Sequence, residues 1–402
     1  MTPIDSETIS YLPDGVISWN AKGVITEVAP FSGQSVTEAL AYGVVTPGLV
    51  DAHLHYPQLR VLGAAGQPLL QWLAQSVYPE EARFADDGYA REVASEFCTA
   101  LASAGTTSAM IYGSVHPRAI HWLFKEMDRR NMRGIAGPVL MNSDVPRELT
   151  LDVVPAMAGL CDLVNRWHQW DGRLEVAVIP RFALSCTREM LAAAAEFAHK
   201  HELRVGTHLS ENRDECHQVR HHFGTADYLT VYEQTGLLSD RSLFAHCVHL
   251  SDSEWDRLGS ARAGVVHCPD SNAYLGSGRL PLGQVISREI PFAVGSDVAA
   301  GRSFSMAQHL AQAHENSVAT NCPVSPERLF WWGTRGGAKT LGLDGVGAIK
   351  KGLEADLVWW GLPDSLGADA QSVVGTLVSG LARPRRTWVR GKIVWEESDK
   401  KG

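Results

Sequence analysis

The 402-residue sequence contains no Cys-x-x-Cys pair. Its seven cysteines, at 98, 161, 186, 216, 247, 268 and 322, are scattered and odd in number, which excludes a cysteine-based zinc or redox motif and a dense disulfide framework. They read as reduced thiols of a cytoplasmic protein. No apolar run is long enough to cross a bilayer. The stretch Met1–Pro13 lacks the basic-then-apolar pattern of a secretory leader, so neither a membrane nor secretion is expected. Positive charge is also short. Against 45 Asp and Glu stand 36 Lys and Arg, a net charge of −9, which disfavours a nucleic-acid surface and leaves a small nucleobase allowed. Three catalytic signatures fail as well. The H-x-E with P-C-x-x-C pattern of cytidine-type deaminases is missing. His201-Glu202 is followed by Leu203-Arg204-Val205 instead of the second histidine of H-E-x-x-H, and Ala338 stands where a phosphate loop needs glycine before Lys339-Thr340.

What is present is ordinary globular composition, 45% hydrophobic and 20% charged, over a length that suits one large domain with an appendage. Eight apolar, strand-like runs alternate with helix-length segments: 44–50, 107–112, 133–140, 174–180, 204–208, 243–246, 264–267 and 292–295. Such alternation predicts β-α units and a parallel sheet or barrel. Thr187 to His199 is a representative helix, with Thr187 as cap and an Ala-rich interior. Further strands are expected at 15–19 and 23–28 near one end and at 355–360 and 387–394 near the other. Strands flanking a barrel pair most simply with each other. The expected architecture is therefore α/β, a (β/α)8 barrel over 48–343 with a small β-sandwich domain built from 1–47 and 344–402.

The chemistry concentrates at strand ends. The apolar run 46–55 ends in His53-Leu54-His55, and residues i and i+2 of a strand share a face, so both imidazoles enter one cavity. With 16 histidines in the chain, one such pair means little by itself. Later runs add His208 with Glu211 three residues on, then His246, then Asp297, and the C-terminal strand ends of a barrel converge on one mouth. Singly, His53 or His246 reads as a core histidine bonded to a carbonyl, Glu211 as a solvated acid at a helix start, and Asp297 as a helix cap. As a set in this order they read as a metal site. The pairs Trp331-Trp332 and Trp359-Trp360 read as packing.

The chain resembles the amidohydrolase superfamily and, within it, the branch that deaminates guanine. The segments that carry the resemblance are P-G-L-V-D-A-H-L-H-Y-P-Q (47–58), P-L-L-Q-W-L (68–73), P-R-F-A-L-S-C (180–186) and T-H-L-S-E-N-R-D-E (207–215). They continue with F-A-H-C-V-H-L (244–250), H-C-P-D-S-N (267–272), G-S-D-V-A-A-G (295–301) and G-G-A-K-T-L-G-L (336–343). The resemblance implies that His53, His55, His208 and Asp297 hold one divalent ion, usually zinc. No lysine lies between Leu174 and Cys186 to bridge a second ion, so a single metal is expected. It further implies that His246 faces the nucleophilic water, that Glu211 carries protons to the ring and the departing ammonia, and that Asp297 accepts a proton from water. Gln58 and Arg181 are to read the polar edge of a purine base, while Phe182 and Trp72 pack on its face, Trp72 reading equally as a core aromatic. A homodimer is the family expectation.

Three features depart from that pattern: Gln71 stands in place of the usual Glu of P-L-L-E-W, Asp270 in place of Asn or Thr, and the chain is shorter than many of this type. Two other readings follow. One is a sister aminohydrolase acting on a pterin, an aminotriazine or an oxidised guanine. The other is a non-catalytic metal-binding barrel, against which Glu211 argues because binding alone needs no proton carrier.

Overall fold

Eight strands run in parallel order through a computed structural model that describes residues 1–40, 42–64, 68–363 and 369–398. They are β1 (Leu49–His55), β2 (Thr106–Tyr112), β3 (Gly134–Gly137, continued by Val139–Leu140), β4 (Leu174–Pro180), β5 (Arg204–Leu209), β6 (Ser242–His246), β7 (Gly264–His267) and β8 (Phe292–Val294). Each pairs in parallel with its chain neighbour, from β1 to β8. Every residue of β1, β2, β6, β7 and β8 is buried, as strands covered on both faces require.

The two ends of the sheet meet just beyond β8. The Asp297 N–H donates to the His53 carbonyl at 2.8 Å, the His55 N–H to the Val298 carbonyl at 2.9 Å, and the Ser296 N–H to Asp51 Oδ1 at 2.9 Å. Gly295 makes this approach possible, since a Cβ there would lie 2.7 Å from the Cβ of His53. The closure thus sets the backbone of one expected metal ligand, Asp297, directly on that of another, His53.

Helices between the strands start where their capping residues dictate. Thr187 caps Arg188–Lys200 by accepting from the Met190 N–H, and capping boxes at Asn212/Glu215 and Ser251/Glu254 open the helices after β5 and β6.

The terminal segments form the appended β unit that the sequence suggested. Gly43–Pro47, Leu357–Gly361, Arg383–Val389 and Lys392–Glu396 make a four-stranded antiparallel sheet. The hairpin Gly15–Trp19/Ile25–Pro30 packs on it through a separate core of Ile25, Ile349, Ala355, Leu357 and Trp388. Two details differ from the sequence expectation. The run 44–50 is not one strand: it leaves the terminal sheet at Pro47 and enters the barrel at Leu49, with the Gly48 N–H donating to the Asp356 carbonyl. The run 387–394 is broken by a turn at Arg390-Gly391, where both residues have positive φ (50° and 70°). A Gly following a polar residue is suited to such a turn. All seven cysteines are unpaired, and no helix among the described residues is long and apolar enough to cross a membrane.

Candidate metal centre

His53 and His55 end β1, His208 lies near the end of β5, His246 ends β6, and Asp297 follows β8. One ligand atom each from His53, His208, His246 and Asp297 fall within 4.8 Å of one another, the one such group among the described residues. His55 adjoins it: its Nε2 is 3.3 Å from Asp297 Oδ1 and 3.3 Å from His208 Nε2. His53 Nε2 is likewise 3.3 Å from Asp297 Oδ1, whereas His246 Nε2 stands 3.9 Å from Asp297 Oδ2. All five residues named from the sequence therefore converge on one point.

The donors suit a cation. His208 Nδ1 faces the Arg181 carbonyl at 2.6 Å, so this nitrogen carries the proton and Nε2 offers its lone pair. Both ring nitrogens of His53, Nδ1 of His55 and Nε2 of His246 are buried without a hydrogen-bond partner, a costly condition that an ion at the centre relieves for those aimed at it. Burial holds His53 (at about 3), His55 and His208 below the usual histidine range, hence neutral. Burial pushes the Asp297 carboxyl up, but the His53 and His55 rings 3.3 Å from it outweigh this and hold the group well below the carboxylate range. Neutral imidazoles around one carboxylate are a nitrogen and oxygen set that fits zinc or iron.

Glu211 sits just past β5, buried, with its backbone N–H donating to Glu215 Oε2 at 3.1 Å. Its Oε2 is 3.5 Å from His246 Nε2, and its Oε1 accepts from the Ser277 hydroxyl at 3.3 Å. Burial pushes the Glu211 carboxyl up to about 7, with His246 opposing and Asp297 and Glu215 adding to the shift. Such a group exchanges a proton readily near neutral pH. Burial disfavours charge on His246 too, but Glu211 and Asp297 beside it raise its affinity for a proton overall. Asn272 Oδ1 fixes its ring through Nδ1 at 2.8 Å.

A cavity, partly open to solvent, leads onto this cluster. His55, Gln58, Trp72, Arg181, Phe182, His208, Glu211 and Asp297 all line it, joined by Leu69, Leu73 and Leu275, which the sequence did not single out. Gln71 does not line it; that side chain is exposed on the outer face of the same segment. Asp270 is buried away from the cavity lining and accepts from the Arg302 backbone at 2.6 Å and from Gln312 at 2.9 Å, tying down the loop after Asp297. Sequence reasoning also missed Glu81, whose buried carboxylate accepts from Gln58 Nε2 at 3.2 Å and Arg181 Nη1 at 2.6 Å. It missed Asn272 and Glu215 as well. For Asn272 a signal existed, its place in H-C-P-D-S-N; for Glu81 there was none beyond a carboxylate near the pocket segment.

Comparison with known proteins agrees with this geometry. The profile of the Amidohydrolase family matches residues 44–394. Guanine deaminase of Escherichia coli (strain K12) is 40% identical over 318 residues, covering 78% of this chain and 72% of that protein. A probable guanine deaminase of Deinococcus radiodurans is 40% identical over 342 residues, covering 84% and 78%. The crystal structure of guanine deaminase from C. acetobutylicum, with guanine bound in its active site, superposes with a TM-score of 0.91 at 25% identity, covering 98% of this chain and 97% of that one. A barrel whose strand ends gather four histidines and an aspartate, matched along this much of its length, belongs to the amidohydrolase superfamily, in the family of the guanine deaminases.

Proposed function

We propose that the protein hydrolyses guanine to xanthine and ammonia. The observation that carries this reading is the meeting, in one cavity, of the histidine and aspartate cluster, Glu211 and the Gln58–Arg181 pair. The 40%-identical relatives support the choice of guanine.

We assign His53, His55, His208 and Asp297 as the ligands of one divalent ion, taken as zinc from the family resemblance. The 3.3 Å approaches of His53 and His55 to Asp297, against 3.9 Å for His246, favour this set over one containing His246. When bound, the ion supplies Lewis acidity, making water a nucleophile near neutral pH. His246, held by Asn272, presents Nε2 to the space between Glu211 and Asp297 and orients the attacking water. Phe182 and Trp72 pack against the ring, while Gln58 and Arg181 hydrogen-bond its polar edge. The water oxygen forms a bond to the carbon that bears the amino group. Glu211 delivers a proton to the adjacent ring nitrogen, and the water proton passes to Asp297. Glu211 takes over that proton and passes it to the amino nitrogen, the carbon–nitrogen bond breaks, and ammonia leaves as the added hydroxyl returns its proton to Glu211 and becomes the new carbonyl.

Domain limits at 47/48 and 343/344, a cytoplasmic location and a homodimer belong to the same proposal. The unpaired cysteines support a reducing compartment, and the dimer rests on family resemblance alone. The test of the function is ammonia release from guanine with metal content measured on the same sample. No release from a metal-replete preparation overturns the proposal. Sedimentation equilibrium tests the dimer.

A further inference from the structure

We propose that Glu81, which takes no part in the bond changes, sets substrate choice by holding Gln58 and Arg181 as a matched pair of hydrogen-bond donors. The inference rests on the guanine reading above.

Glu81 lies on the short helix Tyr78–Ala82 and is 0% exposed; Gln58 is 1% and Arg181 2% exposed. Its two oxygens are divided between them. Oε1 accepts from Gln58 Nε2 at 3.2 Å and Oε2 from Arg181 Nη1 at 2.6 Å. On its other side, Gln58 Oε1 accepts from the Ala299 N–H at 3.3 Å. These contacts leave one orientation for the amide. Turning it over would set its carbonyl against a carboxylate and its NH2 against an N–H.

A carboxylate accepts and cannot donate, so both neighbours must meet Glu81 as donors. Gln58 keeps its second N–H, and Arg181 keeps its other guanidinium donors, for whatever enters the cavity that both side chains line. Such a paired-donor wall fits a purine whose facing edge carries acceptors, a ring carbonyl oxygen with a neighbouring ring nitrogen. It opposes a purine with an amino group in place of that carbonyl, which would leave donors facing donors. The carboxylate also neutralises the buried guanidinium, so the wall is suited to a neutral base. Glu81 is thus a positioning residue that acts through Gln58 and Arg181.

The test compares guanine with 2,6-diaminopurine, which keeps the departing amino group and replaces the ring carbonyl by an amine. Selectivity is read as the ratio of kcat/KM, or from the Ki of 2,6-diaminopurine against guanine where its turnover is slow. In Glu81→Gln, kcat/KM for guanine should fall on the order of 10- to 100-fold. The preference for guanine should fall about tenfold or more, with metal content unchanged, because an amide at 81 no longer dictates the amide orientation at 58. Glu81→Asp, which keeps an acceptor-only group, should retain more of the preference and answers the question if Glu81→Gln folds poorly. Equal losses for both purines in the two variants, or an unchanged preference, would overturn the role of Glu81. Guanine turnover by the wild type separates this outcome from failure of the functional reading. A metal-replete wild type inactive on guanine overturns both, whereas an active wild type with unaltered selectivity in the variants overturns this inference alone.

Discussion

Glu211 and Arg181 differ in what their removal exposes, and the difference governs how each substitution reads. Glu211 contacts its surroundings through Ser277, His246 and its own backbone, so Glu211→Gln preserves shape and removes only the titrating proton. Its kcat on guanine should drop ~10²- to 10⁴-fold with metal retained, the usual contribution of a placed proton carrier. Stopped-time ammonia assays on a sample of known metal content check this, and a kcat near wild type would move the proton to His246 or Asp297. Arg181 is half of a fully buried ion pair with Glu81. Arg181→Ala should therefore lower stability by ~3–5 kcal/mol, besides damaging turnover, because an unpaired carboxylate is left buried. Urea melts should show that adding Glu81→Gln to Arg181→Ala restores much of this loss. A double variant less stable than the single one would mean that the pair is not what holds this wall.

At the scale of elements, strands and their ends were legible because each parallel strand is a short apolar run and the ligand types recur at its C-terminal end. Gly264–His267 and Leu174–Pro180 are found at the residues the sequence predicted, and the Thr187 cap opens its helix as expected. The mouth of the site between 68 and 85 was legible only at Trp72, which the resemblance had placed there. There the chain is one helical stretch from Leu69 to Ala85 whose winding changes at Leu73, Tyr78 and Arg83, so its apolar residues keep no single period. Glu81 finds Arg181 across 100 residues, a pairing no local pattern encodes. Barrel closure was similarly hidden, since Gly295 reads as an ordinary glycine until its contact with β1 is seen. Gly295→Ala should push β1 and the segment after β8 apart. A cost of ~1–3 kcal/mol is expected for the inserted methyl, with metal per chain falling too, because His53 and Asp297 are joined at that point. Thermal melts and elemental analysis check it; full occupancy with an unchanged Tm would show that the closure yields without disturbing the ligands.

Across the whole molecule, barrel and terminal sheet are bound by polar ties that the core alone does not supply. Buried Arg133 reaches from the start of β3 to Asp356 at 2.8 Å and to Glu354, and the Thr387 hydroxyl of the terminal sheet donates to the Ala102 carbonyl of a barrel helix at 2.7 Å. The same closed interior keeps histidines neutral beyond the ligand set. Burial lowers His267 to about 3, and neither of its ring nitrogens has a hydrogen-bond partner. The unfolded chain binds a proton at that residue near pH 6.5, while the folded chain does so only near pH 3. Between these values the unfolded state carries more protons, so this residue's contribution to stability is intact above pH ~6.5 and is lost as the pH falls. Two pH units below the unfolded value, the loss should be on the order of 3 kcal/mol, at 1.36 kcal/mol per unit. His267→Leu, of similar volume and unable to titrate, removes that term. Metal release also destabilises the protein in acid, but it acts on wild type and variant alike and cancels in their difference. Urea unfolding at pH 7.5, 6, 5 and 4.5 should therefore show the stability of His267→Leu relative to wild type rising steadily as the pH falls. A difference that stays constant over this range would mean that His267 takes up its proton in the folded barrel as easily as in the unfolded chain.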